Sequence, residues 1–160
     1  MNRAIKEIIV HCSASSFGCV REIRIWHIQR GFMDVGYHFV ILNGQAGAKI
    51  HLEALDGSIE IGRHLDEIGA HCVGHNADSI GVCAIGKDGV FIDKQMDSLI
   101  DLLASLCGMY SLTSENVIGH SETDSGKEQG KTCPDMIMDV IRHTLQTGLS
   151  PGNEGKEIKQ

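Results

Sequence analysis

Two prolines in 160 residues leave no room for a Pro-rich stalk or linker. No segment approaches the ~18 apolar residues of a membrane-spanning helix. The stretch from Met1 to Val10 holds Arg3, Lys6 and Glu7 beside an apolar run of only Ile8 to Val10, which is not the pattern of a signal peptide. Synthesis in the cytoplasm is therefore the expectation. Basic residues are the minority: 14 Lys and Arg stand against 21 Asp and Glu, a net charge of −7. That sign argues against a general nucleic-acid binder, whose affinity needs clustered cations, although a local basic patch stays possible. No CxxC pair is present, which removes support for zinc-ribbon and thioredoxin readings. Gly44 to Gly47 carries neither GxGxxG nor a Walker lysine, so nucleotide binding has no support either. There is no internal repeat and no sign of a second domain.

What the chain does contain is enough for one domain with a real core, at 42% hydrophobic and 22% charged residues. The conspicuous counts are nine His and six Cys. They raise three possibilities: metal, redox chemistry or disulfides. In a reducing cytoplasm the disulfide framework is the weaker of them.

The β-branched run Ile8-Ile9-Val10, ending in His11-Cys12, predicts a buried strand over Glu7–Ser13. Val20–Arg30 reads as a helix, with Ile23, Trp26 and His27 near one face and Gly31 as its stop. Tyr37–Leu42 reads as a strand followed by an Asn43-Gly44 hairpin turn. Lys49–Leu52 and Ser58–Arg63 are short strand candidates, joined by an Asp56-Gly57 turn. His64–Asp78, rich in His, Gly and Asn and without a period, reads as a functional loop. Ser79–Gly86 is a second buried strand, and Lys87-Asp88-Gly89 a turn.

Lys94–Tyr110 is the clearest helix: Met96, Leu99, Ile100, Leu103, Leu106, Cys107 and Tyr110 keep the i, i+3, i+4, i+7 spacing. Glu115–His120 predicts a strand, and Ser121–Thr132 a polar loop. A helix capped by Thr132, with Pro134 in its first turn, runs to about Thr147, with Ile137, Val140, Ile141 and Leu145 inward. Strands interleaved with about three helices imply an α/β domain on a single, mostly mixed central sheet.

Two expected strands end in histidine, His11 and His120, and Cys133 follows at the expected helix start. There the helix dipole would favour a thiolate. A His, His, Cys set gives zinc three ligands, the catalytic arrangement, because the fourth position stays open. His71 and His75 are a rival i, i+4 pair, but Gly69, Gly74 and the lack of a neighbouring Glu speak against a helix there. Cys12, Cys72, Cys83 and Cys107 read as small buried hydrophobes, and Cys19 as an ordinary thiol near a helix start. Tyr37 by itself reads as a packed aromatic. Lys131, two residues before Cys133, is either a solvated lysine or a cation placed to stabilise an oxyanion.

These residues carry a resemblance. Ile9–Ser15, Val20–His27, Asp34–Ile41, Gly69–Cys72, Asn76–Cys83, Gly119–Glu122 and Lys131–Pro134 occur in the order seen in one known family. The chain resembles the zinc-dependent N-acetylmuramoyl-L-alanine amidases of the T-odd phage lysozyme and peptidoglycan-recognition type, from about Ile8 to Thr147. The resemblance implies a zinc amidase catalytic domain over 1–149, and the polar stretch 150–160, SPGNEGKEIKQ, reads as a flexible tail. It implies His11, His120 and Cys133 as ligands of one Zn2+ per chain, and Tyr37 and Lys131 as catalytic residues. His71 and Asn76 fall on the groove loop as candidate substrate contacts.

The implied reaction is hydrolysis of the amide between N-acetylmuramic acid and L-alanine in peptidoglycan, as a phage or prophage-type endolysin. A monomer is expected, with no nucleic-acid partner, acting on the wall after release by a holin or lysis. Gly44–Gly57 and Ser121–Gly130 look longer than in the phage enzymes, and no wall-binding repeat is present. Two other readings compete: a non-catalytic muropeptide-binding module, and a cytosolic muropeptide-recycling amidase.

Overall fold

Ile8, Ile9 and Val10 are β-branched and fully buried, so the first strand, β1 (Glu7–Cys12), has a covered side chain on both faces. The computed structural model describes residues 3–47 and 50–148; the expected tail at 150–160 lies outside them. Ser79–Ala84 has the same character and forms β4, buried at every position. β1 runs parallel to β4 on one side and to the short β5 (Val117–Gly119) on the other. Beyond β4 lies β2 (Phe39–Gly47), also parallel, and β3 (Ile50–Ile61) closes that edge antiparallel to β2. The order β3-β2-β4-β1-β5 is the mixed sheet of an α/β domain, as expected.

Strand alternation decides what covers each face. Ile8 and Val10, with Ile41, Ile80, Val82 and Val117, pack against Leu99, Leu103 and Leu106 of α2 (Asp93–Tyr110). Met138 and Ile141 of the last long helix (Met138–Thr147) join the same cluster. Val40, Leu42, Cys83 and Ile85 point the other way and meet Val20 and Ile23 of α1 (Val20–Gln29). α1 packs on the β2 and β4 part of that face; on β1 the side chain of the same parity is His11, paired in register with Cys83.

Three expectations change. Asn43-Gly44 and Asp56-Gly57 are not turns. Both lie inside strands, where Asn43 pairs with Asp56 and the register shifts. Their glycines use φ of +74° and +73° to bulge the strands, so the two short strands expected around Asp56 are one continuous strand. The stretch expected as a polar loop contains a short helix, α3 (Asp124–Glu128), whose first turn is capped by Thr123 Oγ1 accepting the Gly126 N–H at 3.0 Å. The last helix, α4, starts at Met138 rather than Thr132. Asp135 sits at φ +57°, which no helical run tolerates, so Cys133 and Pro134 belong to a loop. Starting later also turns the helix: Met138, Ile141 and Thr144 are its buried residues, while Ile137 and Val140 are exposed.

Candidate active site

β1 delivers His11 to the α1 side of the sheet, with 1% of its surface exposed. β5 pairs with β1 through Val10 and Gly119, so the next residue, His120, emerges beside it. The two imidazole centroids are 4.7 Å apart. His120 opens a tight turn, and three contacts hold that turn. Glu122 accepts the Gly119 N–H at 2.7 Å, Thr123 Oγ1 donates to the His120 carbonyl at 2.8 Å, and Arg142 grips Glu122 through two bonds of 2.9 Å. The Gly119-His120-Ser121-Glu122 run carried the Glu122 contact as a signal, a carboxylate three residues after the turn's first N–H. The Arg142 grip depends on a distant helix and has no local signal.

Cys133 reaches the pair from its loop. Ser121 N–H donates to the Cys133 carbonyl at 2.7 Å, and Cys12 N–H donates to Cys133 Sγ at 3.2 Å. The helix dipole expected to act on this thiol is absent, because α4 begins five residues later. A backbone N–H from β1 takes that part instead. Cys133 Sγ lies 3.8 Å from His11 Nδ1, and one donor atom from each of His11, His120 and Cys133 falls within 4.8 Å of the others. A tetrahedral zinc with bonds of ~2.3 Å to sulfur and ~2.0 Å to nitrogen spaces two such atoms about 3.6 Å apart. Donor types and spacing therefore fit a zinc ion. All six cysteines are free thiols, which decides the count against a disulfide framework.

The electrostatics agree with this fit. Burial, then the neighbouring His71 and His120, push His11 well below its ordinary range. Burial and the Lys131 charge lower His120. Both rings are thus neutral near pH 7, the ligand form. A hydrogen bond with Cys12, then burial, holds the Cys133 thiol up; coordination to a dication reverses that shift outright.

Tyr37 lies two residues before β2 rather than at a strand start, with its ring 5.1 Å from that of His11 and 5.4 Å from that of His27. Burial raises its phenol well above the usual value, so Oη keeps its proton. Lys131 is exposed at the rim, and its N–H bonds the Gly126 carbonyl at 2.9 Å. After burial, its positive charge is the next cause that lowers His120.

His71 does not stand alone in the groove loop: its Nδ1 is 3.1 Å from His11 Nε2. Asn76 turns its side-chain oxygen inward, accepting the N–H groups of His71 and Cys72 at 2.8 and 2.9 Å. That oxygen braces the loop.

Three bracing residues escaped the sequence reading. His38 accepts the Gly81 N–H through Nδ1 at 2.9 Å and reaches the Glu67 carbonyl through Nε2 at 3.0 Å. His27 accepts the Gly36 N–H at 2.9 Å. Arg3 donates to the carbonyls of Leu65, Asn76 and Ser79 at 2.8–2.9 Å, with Glu67 at 2.6 Å. The motif Gly36-Tyr37-His38 held the first of these in plain view, but its partner lies across the sheet.

Among the described residues, two imidazoles and a thiol form a donor set that would give a zinc ion three protein ligands, the number found in catalytic rather than structural zinc sites. The family model described as N-acetylmuramoyl-L-alanine amidase matches residues 1–136, a span that includes every residue of this cluster. The endolysin of Escherichia phage T7 is 42% identical over 113 residues, 64% of this chain and 67% of that protein. The endolysin of Enterobacteria phage K11 is 38% identical over 114 residues, 65% and 68% of the two chains. Among solved structures, the N-acetylmuramoyl-L-alanine amidase LysC from Clostridium intestinale URNW superposes with a TM-score of 0.74 at 26% identity, covering 91% of this chain and 87% of LysC. The chain belongs to the N-acetylmuramoyl-L-alanine amidase family, and it is an enzyme that hydrolyses the amide bond of that name in peptidoglycan. Among the described residues no helix is long and apolar enough to cross a membrane.

Proposed function

We propose that the chain is a zinc-dependent endolysin-type amidase, with His11, His120 and Cys133 as the metal ligands and Tyr37 and Lys131 as the catalytic side chains. The observation that carries this reading is the convergence of the three donor atoms within 4.8 Å, from β1, the end of β5 and the loop before α4. A zinc ion held there supplies Lewis acidity, lowering the pKa of a water toward ~7 and polarising the carbonyl.

The protein's own groups do the rest. Tyr37 keeps its phenolic proton and donates it as a hydrogen bond to the carbonyl oxygen or to the tetrahedral oxygen that replaces it. Lys131, exposed at the rim, offsets the negative charge that develops there. The oxygen of one water bonds the carbonyl carbon as the C–N bond breaks, leaving the lactyl carboxylate on the sugar, and a proton from that water goes to the nitrogen to give the free amine of L-alanine. His71 and Asn76 line the loop beside the cluster, where His71 meets His11 and Asn76 braces the backbone of His71. The endolysin relatives support action on the wall after a holin or lysis gives access. The catalytic domain spans 1–149 and acts as a monomer.

Metal analysis should find one zinc per chain, and purified peptidoglycan should release N-terminal L-alanine. His120→Ala should lose both, with activity falling more than about a hundredfold, beyond the usual cost of disturbing a ligand's support. Protein that holds zinc and binds peptidoglycan yet frees no L-alanine amine would be a binding module, and the proposal would fail. Comparing intact sacculi with soluble muropeptides separates wall lysis from fragment recycling.

A further inference from the structure

His71 sits in a slot made for a ring. A methyl group added at Gly81 of β4 would come within 2.4 Å of His71 Cδ2, and one added at Gly69 within 2.5 Å. Both glycines thus leave the room that the imidazole fills, and both stand in ordinary, non-left-handed backbone. Asn76 fixes the backbone of His71 from the other side.

The hydrogen bonds around this ring have one consistent direction. Ser79 Oγ–H donates to the His75 carbonyl at 2.7 Å, which leaves the Ser79 oxygen as an acceptor. His71 Nε2 faces that oxygen at 3.4 Å and so carries the ring's proton. His71 Nδ1 is then a lone pair, and it faces His11 Nε2 at 3.1 Å. His11 Nε2 must therefore carry its own proton and donate. That leaves His11 Nδ1 as the unprotonated nitrogen, the one that lies 3.8 Å from Cys133 Sγ.

We infer that His71 is a positioning residue: by accepting from His11 Nε2–H it fixes His11 in the tautomer whose Nδ1 serves as the metal ligand. The inference rests on the zinc reading above. It gives His71 a part in metal binding in place of the substrate contact its position in the loop suggested. Outer hydrogen bonds of this kind orient a ligand imidazole and raise its basicity, and losing one costs about 10–100-fold in metal affinity or activity.

The test compares His71→Asn, His71→Gln and His71→Ala with the parent protein, using zinc alone as the probe in chelator competition. Asn places an amide oxygen near the position of Nδ1 and keeps the acceptor; Gln places it near Nε2 and does not. All variants are first checked for a parental circular dichroism spectrum. The Asn variant should hold zinc within a few-fold of the parent. The Gln and Ala variants should bind it ~10–100-fold more weakly. In the parent, histidine 15N spectra of the zinc form should show His11 protonated at Nε2. On peptidoglycan with saturating zinc, kcat should fall in the Gln and Ala variants while KM stays put.

Equal zinc affinity in all folded variants, or a raised KM with unchanged zinc affinity, overturns the inference and returns His71 to the substrate groove. A His11 protonated at Nδ1 overturns it as well. If Ala and Gln do not fold, the Asn variant and the parental tautomer decide. A parent that binds no zinc refutes the zinc reading itself, a distinct outcome.

Discussion

The two faces of β1 solve opposite problems with adjacent residues. Ile8 and Val10 point toward α2 and α4 and join the apolar cluster there. His11, one residue on, meets His71, His120 and Tyr37 within ring-contact distance. The first face gains stability from apolar area; the second spends hydrogen bonds to keep a group of imidazoles neutral and oriented. Burial serves both, since the same desolvation that drives Leu103 inward depresses the histidine pKa values on the other side. The lesson is that stability and chemistry are separable here by strand parity.

Leu103→Ala is the strongest way to break that separation. Leu103 is fully buried on the apolar face, and the cavity should cost ~2–5 kcal/mol in urea unfolding. Activity per folded molecule should not change; a parallel loss of activity in the folded population would show that the faces are coupled.

Acid sharpens the comparison next. Burial lowers His38 to about 4 and His71 to about 3, so both stay neutral in the fold at pH values where the unfolded chain protonates them. The unfolded state then binds more protons below about pH 6.5, and stability falls with decreasing pH between there and about 4. For His38, fully buried, the slope approaches ~1.4 kcal/mol per pH unit. Unfolding titrations from pH 7 to 4 should show the decline, and His38→Asn should flatten it. The smallest effect is expected at His64, an exposed residue 3.6 Å from Asp66. His64→Ala should shift stability by less than ~0.5 kcal/mol and leave activity intact, measured by the same two assays.

Much of this was legible in the sequence where one residue type does one job. Central parallel strands read as β-branched runs, which is why β1 and β4 stood out, and the long apolar stripe of α2 could be nothing else. The zinc candidates followed because His11 and His120 terminate such runs. Legibility failed where a local signal has two uses. Asn43-Gly44 and Asp56-Gly57 supply positive φ equally well for a turn and for a bulge, and only their pairing across the arm tells which. Cys133 was placed on a helix because Thr132 and Pro134 make a good helix start, but the left-handed Asp135 defers it. The braces were invisible for a different reason. The partners of His38 and Arg3 are backbone groups that folding brings near, and no spacing in the chain announces them.

The Arg3 guanidinium ties the beginning of the chain to the irregular segment between β3 and β4, bonding carbonyls near both of its ends. A segment that long and that irregular would ordinarily breathe by itself, in the low-energy openings that hydrogen exchange detects. With Arg3 threaded through it, opening the segment means stripping several carbonyls from one cation, or peeling the N-terminal residues from the sheet at the same time. The loop that carries His71 and the segment that leads into β1, the strand that carries His11, are thereby tied together.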